Sequence, residues 1–151
     1  MTQRDRFEAF VADAEPRLRR ALIGAVGIDR TEDAVAEAFA YAYEHWDEVS
    51  AYDNPVGYLY RVAQSRSRER LKPPLIRREP DTIPDVEPEL IEALSSLPLS
   101  QRTAVWLAHG CGWSHADIAS GLDVSASTVA THVSRGLNAL RQTLGVPDAQ
   151  S

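Results

Sequence analysis

WSHADIASGLDVSASTVATHVSRGLNALR, Trp113 to Arg141, decides the reading of this chain. Ile118, Ala119 and Leu122 make an apolar side at helical spacing. Gly121 and Asp123 flank the break that follows, where a tight turn is cheapest for Gly. Ser125 is a good N-cap for a second helix, with Ser127 and Thr128 in its first turn. Val129, Val133, Leu137, Leu140 and Leu144 then recur at steps of four, four, three and four, one face of that helix. The opposite face carries Ser127, Thr128, Thr131, Ser134, Arg135 and Asn138. Short hydroxyls and an Arg suit close approach to phosphates and base edges. Two helices on a tight turn, the second divided in this way, have the layout of a helix-turn-helix DNA reader.

Composition bounds what such a reader could belong to. The 151 residues suffice for one ordinary domain or two small ones, and a hydrophobic content of 44% is globular. No apolar run is long enough to span a membrane, and the N-terminus is not signal-like. The single Cys111 cannot form an internal disulfide, so a cytoplasmic location is expected. A net charge of −6 is unlike that of a protein holding DNA by its own field. Either the chain does not bind DNA, or a larger partner supplies most of the affinity.

Three segments precede the tail 146–151. Residues 1–72 have strong helical period. Residues 73–89, PPLIRREPDTIPDVEPE, hold five prolines, with two basic against five acidic residues. That composition resists helix and strand and reads as an extended linker. At ~3.3 Å per residue it could reach on the order of 55 Å. Residues 90–145 are helical again. The expected fold is all-α, two small helical bundles on a Pro-rich tether, the second a helix-turn-helix.

In the first bundle, Phe7, Phe10, Val11, Leu18, Leu22 and Ile23 make one or two amphipathic helices, with Pro16 at an expected boundary. The next helix is expected to open at Asp29 to Thr31, with Thr31 as cap. Val35, Phe39, Ala42 and Trp46 share its inner face, and Asp33, Glu37 and Glu44 its outer one. Asn54-Pro55 opens a further helix, an N-cap followed by Pro at the first helical position. Leu59, Val62 and Ala63 face inward there, while Arg61, Gln64, Ser65, Arg68 and Lys72 face out. Between Arg61 and Lys72 stand five basic residues and one acidic, Glu69, a local +4 in an acidic protein.

The order of these parts resembles a family. The helix TEDAVAEAFAYAYEHW precedes the loop DEVSAYDNP, then VGYLYRVAQSRSRER, the linker, and LSSLPLSQRTAVWLAHGCGWSHADIASGLDVSASTV. The chain is similar, from about Phe7 to Leu144, to bacterial sigma factors of the extracytoplasmic-function (ECF) group of the sigma-70 family. The resemblance implies core RNA polymerase and promoter DNA as partners, and often an anti-sigma factor. It places Asp33, Glu37, Phe39 and Tyr43 on the polymerase clamp. It assigns Tyr52, Asn54, Tyr58, Arg61, Gln64, Arg68 and Lys72 to the −10 promoter element. Of these, Tyr52 and Tyr58 would stack on an unpaired base, and the cations would track the backbone. It assigns Ser125, Ser127, Thr128, Thr131, His132 and Arg135 to the −35 element. Ala36, Tyr58, Ser65, Arg68, Ala130 and His132 depart from the residues usual in the group. At Ala130 and His132 two cations are lost, which implies weaker phosphate contact at the −35 element.

Two other readings stay open at this stage. TVATHVSRGLNALRQTLGV also fits a LuxR-type helix-turn-helix regulator, although no receiver pattern precedes it. The departures allow a sigma-like protein that binds polymerase or a regulator without initiating. An enzyme is the weakest reading. No Gly-rich phosphate loop or nucleophile–base pair is present, and His109, Cys111 and His115 lack the spacing of a zinc site. Neither metal nor cofactor is expected.

Overall fold

Thr2 and Asp5 start the first helix by capping each other. The Asp5 amide donates to the Thr2 hydroxyl and the Thr2 amide to the Asp5 carboxylate, both at 3.1 Å. The computed structural model describes residues 1–70 and 86–145, the side chains of 67–70 excepted. Helix α1 runs Gln3–Val26 without interruption. The boundary expected at Pro16 is absent. Pro16 is exposed, as is Ala12, whose carbonyl loses its helical donor on the wet side. Ala14, Leu18, Ala21 and Leu22 on the opposite side are fully buried and carry the helix past it.

Helix α2 spans Ile28–Glu44. Its cap position is Gly27, at φ 82°, and Thr31 is not the cap. Thr31 lies one turn inside the helix, buried, and its hydroxyl donates back to the Gly27 carbonyl at 2.7 Å. Small residues on one stripe, Ala34, Ala38 and Ala42, let α2 pack closely on α1. Arg19 of α1 pairs with Glu32 of α2 across this contact. A short helix α3, Trp46–Val49, leads to α4, Pro55–Arg70. The Asn54 cap forms as expected, its Oδ1 accepting from the Gly57 amide at 3.1 Å.

The second bundle opens with α5, Pro88–Ser95, two residues ahead of the expected limit, because Pro88 fits the first helical position. Residues 71–85, most of the expected linker, lie outside the described residues. Helix α6, Leu99–Val105, continues into a π-helical turn, Trp106–Gly110. Helices α7, His115–Leu122, and α8, Ala126–Leu144, complete the bundle. No β-strand occurs among the described residues. At Gly136, α8 lies on α6 so closely that a Cβ would stand 2.5 Å from Val105 Cγ2.

The two bundles do not stand apart. Buried residues of both halves, from Leu18 and Leu59 to Trp106, Ile118 and Val133, form one continuous apolar cluster. Helix α4 packs against α7, and α1 meets the π-helical turn.

Candidate nucleic-acid interface

The helix pair α7–α8 is built as expected, apart from its turn. Ser114 caps α7 and Ser125 caps α8, each hydroxyl accepting an amide three residues on, at 3.0 and 3.1 Å. The left-handed residue between them is Asp123, at φ 57° and ψ 48°. Gly121, expected to serve that turn, is buried inside α7. Asp tolerates the left-handed region better than most side chains, which frees Gly121 for close packing elsewhere.

On α8, Ser127, Thr131 and Arg135 are exposed, and Thr128 and His132 are half-buried at the edge. The Ser125 hydroxyl is committed to the cap and also lies 2.8 Å from Thr128 Oγ1. Thr131 donates to the Ser127 carbonyl at 3.0 Å, leaving its oxygen lone pairs outward as acceptors. This face can accept from base amino groups and donate to phosphate through Arg135.

A second surface lies along the start of α4. The Tyr52 and Tyr58 rings sit 4.6 Å apart at 38°. Tyr58 shares a 3.1 Å hydrogen bond with Tyr41 of α2, and Tyr41 stacks on His45 at 4.1 Å. Arg61 lies over Tyr58 at 5.2 Å and Arg66 over Tyr41 at 5.1 Å. Tyr58, Arg61, Val62, Ser65 and Arg66 line a shallow depression of about 420 Å³. The row of rings flanked by two guanidinium groups has the chemistry of a stacking platform for unpaired bases. The hydrogen bond to Tyr58, with burial, pushes the Tyr41 phenol up to about 12, so it stays protonated and keeps its donor. Burial also raises Tyr52.

Sequence reasoning named Tyr52, Tyr58 and Arg61 here and missed Tyr41, His45 and Arg66. The i, i+4 spacing of Tyr41 and His45 puts them on one helix face, but only tertiary packing brings that face to α4. Asn54 is less available than expected, since its Nδ2 donates to the Asp117 carbonyl of α7 at 2.9 Å. Gln64 is half-buried. The Arg68 side chain and all of Lys72 lie outside the described residues.

Of the residues placed on the polymerase clamp, Asp33 and Tyr43 are exposed and Glu37 is half-buried. Phe39 turns partly inward, edge-on to Phe10 at 6.2 Å. Exposed Ala36 and Ala40 between Asp33 and Tyr43 make this side of α2 flat. Elsewhere, burial pushes the Cys111 thiol up to about 12, so it is not a thiolate. Among the described residues no three His, Cys, Asp or Glu converge as metal ligands. No helix among them is long and apolar enough to cross a membrane.

Residues 88–140 match the family model of sigma-70, region 4. Among solved structures, the chain is similar to the sigma factor RpoE of Bartonella quintana, solved in complex with the anti-sigma factor NepR. The two are 23% identical, with 94% of this chain and 98% of that one covered, at a TM-score of 0.73. Residues 88–140 thus carry a sigma-70 region 4 domain, and over nearly its whole length the chain has the fold of that sigma factor. CnrH, solved with the cytosolic domain of CnrY, is a second likeness. It is 19% identical over 97% of this chain and 92% of that one, at a TM-score of 0.72. No curated protein matches the chain in sequence. Region 4 coincides with the helix pair α7–α8 and the two helices before it, so the match does not favour the LuxR-type reading.

Proposed function

We propose that this chain is a sigma factor of the sigma-70 family, in its ECF form, which binds core RNA polymerase in the cytoplasm and directs it to promoters, recognising and opening the DNA for initiation. One observation carries the reading. The region 4 match falls on a helix pair whose second helix leaves Ser127, Thr131 and Arg135 open to a DNA groove. In this reading residues 88–140 place the −35 element. The N-terminal bundle takes the role of the region 2 domain. The flat, acid-edged face of α2 at Asp33, Glu37 and Tyr43 docks on polymerase. The row Tyr52, Tyr58, Tyr41 and His45, with Arg61 and Arg66, receives unpaired bases of the −10 element. Polymerase supplies the grip that a chain of net charge −6 lacks.

An anti-sigma factor is a further proposed partner, since RpoE was solved with one. Run-off transcription with purified core polymerase on genomic promoter fragments tests the reading. Transcripts that need this protein and start at defined sites are expected. Absence of core binding in gel filtration would remove it.

A further inference from the structure

The exposed face of α8 begins with a ridge of small side chains. Ser127, Ala130 and Thr131 stand at i, i+3 and i+4, all exposed. None of them extends more than one atom past Cβ, so the helix itself can come close to base edges. Thr128 and His132 stand one turn apart on the half-buried edge, off this ridge. Arg135 lies two turns beyond Ser127, on the order of 12 Å along the axis at ~1.5 Å per residue. The N-terminal residues of such a helix meet bases. The ridge is therefore placed at the bases and Arg135 toward the backbone.

What the ridge can recognise depends on where its protons go. A hydroxyl carries one proton and two lone pairs. Thr131 spends its proton on the Ser127 carbonyl at 3.0 Å. The Ser125 oxygen already accepts the Thr128 amide at 3.1 Å. It also lies 3.1 Å from Ser127 Oγ and 2.8 Å from Thr128 Oγ1. With one lone pair and one proton left, it donates to one of these hydroxyls and accepts from the other. Of the three protons on Ser127, Thr128 and Thr131, two are thus held inside the helix. Thr131 is left a pure acceptor, with a methyl group on the same carbon. The guanine edge offers only the acceptors N7 and O6, which this residue cannot meet. An adenine·thymine pair offers an amino group and the thymine methyl. A guanine·cytosine pair offers the cytosine amino group but no methyl, and 5-methylcytosine supplies one.

Resting on the sigma reading above, we propose that Thr131, with the Ala130 methyl beside it, determines specificity at the −35 element. It selects a base pair whose major-groove edge carries an amino group and a C5 methyl together. Adenine·thymine is one such pair and guanine·5-methylcytosine is the other. The oxygen of Thr131 accepts from the amino group, and the methyl groups pack against each other. Ordinary guanine·cytosine meets the first demand and fails the second. Methylation of cytosine at that position therefore turns a poor site into a good one, and promoter choice follows the methylation state of the DNA. Neither contact involves a phosphate, so this preference does not vary with salt, in contrast to the contribution of Arg135.

Selection from random-sequence duplex libraries by the full chain bound to core polymerase tests the proposal. One library carries the ordinary bases, one 5-methylcytosine for cytosine, and one uracil for thymine. At the position that Thr131 reads, adenine·thymine should exceed ordinary guanine·cytosine by about fourfold, the worth of one buried methyl group. Methylcytosine should raise guanine·cytosine there by about the same factor, and uracil should lower the adenine pair by it. Thr131→Ser keeps the oxygen and loses the methyl, so most of both responses should vanish with the salt slope unchanged. Thr131→Val keeps a methyl and loses the acceptor. It should still respond to both replacements but bind the selected site about tenfold more weakly. Thr131 is exposed, so neither variant disturbs the buried face at Val129 and Val133. Enrichment that ignores both replacements overturns the proposal, and so does a serine variant that responds like the wild type. Failure of the chain to bind core polymerase removes the sigma reading instead. The same selection is then run with the chain alone, and enrichment of no sequence there overturns Thr131 as a reader.

Discussion

The two surfaces proposed to face DNA are held in opposite ways. The face of α8 carries hydroxyls and Arg135 into solvent, and the hydrogen bonds described there tie its hydroxyls only to α8 and its cap. The stripe of α4 is half covered, with Asn54 and Arg61 tied to α7 and Gly57 pressed on Gly121. A surface made of one helix's own polar residues is finished once the helix forms. A surface that is also a packing face depends on what the rest of the chain does. The α4 surface therefore depends on the packing of the two halves far more than the α8 surface does.

The largest expected effect tests whether the two halves share one core. Trp106→Ala removes a buried indole wedged between Gly24 and Gly110, at a cost of about 3–5 kcal/mol. Thermal denaturation should show a single transition lowered by roughly 10 °C. Two separate transitions would mean that the halves are energetically independent. Next in size, Asp33→Lys with Glu37→Lys puts cations where acidic groups are proposed to meet polymerase. Core binding should weaken by about 100-fold, read by fluorescence anisotropy, and affinity for free DNA should not fall. Normal core binding would remove the clamp assignment.

Arg135→Ala touches only the open surface. Promoter affinity of the holoenzyme should drop about tenfold, and the slope of log K against log salt should shrink by about one unit. Core binding should be unchanged. A loss of core binding would erase the division of labour between the halves. The smallest effect lies in the ring row. The Tyr41 pKa is raised from 10.0 to about 12, so the folded chain favours the protonated phenol. Its contribution, less than about 1 kcal/mol, is fully present below pH 10 and fades as pH rises toward 12. Urea unfolding of wild type against Tyr41→Phe should show the wild type losing ground only in that window. A parallel decline in the phenylalanine variant would mean that another group titrates.

Local chemistry was legible where a residue answers to its immediate neighbours. Ser125 and Asn54 cap the helices that they were expected to cap. The apolar steps from Val129 to Leu140 mark a face that is buried at Val129, Val133 and Leu140. Misreadings arose where a second element decides. Pro16 ends a helix in isolation, but the buried stripe behind it holds α1 straight through. Thr31 is a fine cap by type, yet Gly27 already begins the helix a turn earlier. Tyr41 and Arg66 carried no signal as a pair, because they stand 25 residues apart and meet only across α2 and α4.

Sequence alone determined the all-helical class, the caps at Asn54 and Ser125, and the apolar face of the second helix of the helix-turn-helix. These follow from short-range rules of period, capping and backbone freedom, which act within one or two turns of chain. Tertiary structure alone decided that the bundles lie against each other, and that Gly121 serves a helix crossing while Asp123 makes the turn. A glycine near a helix end looks the same to its neighbours in either role. Only a partner backbone 2.9 Å from where its Cβ would be tells the two apart.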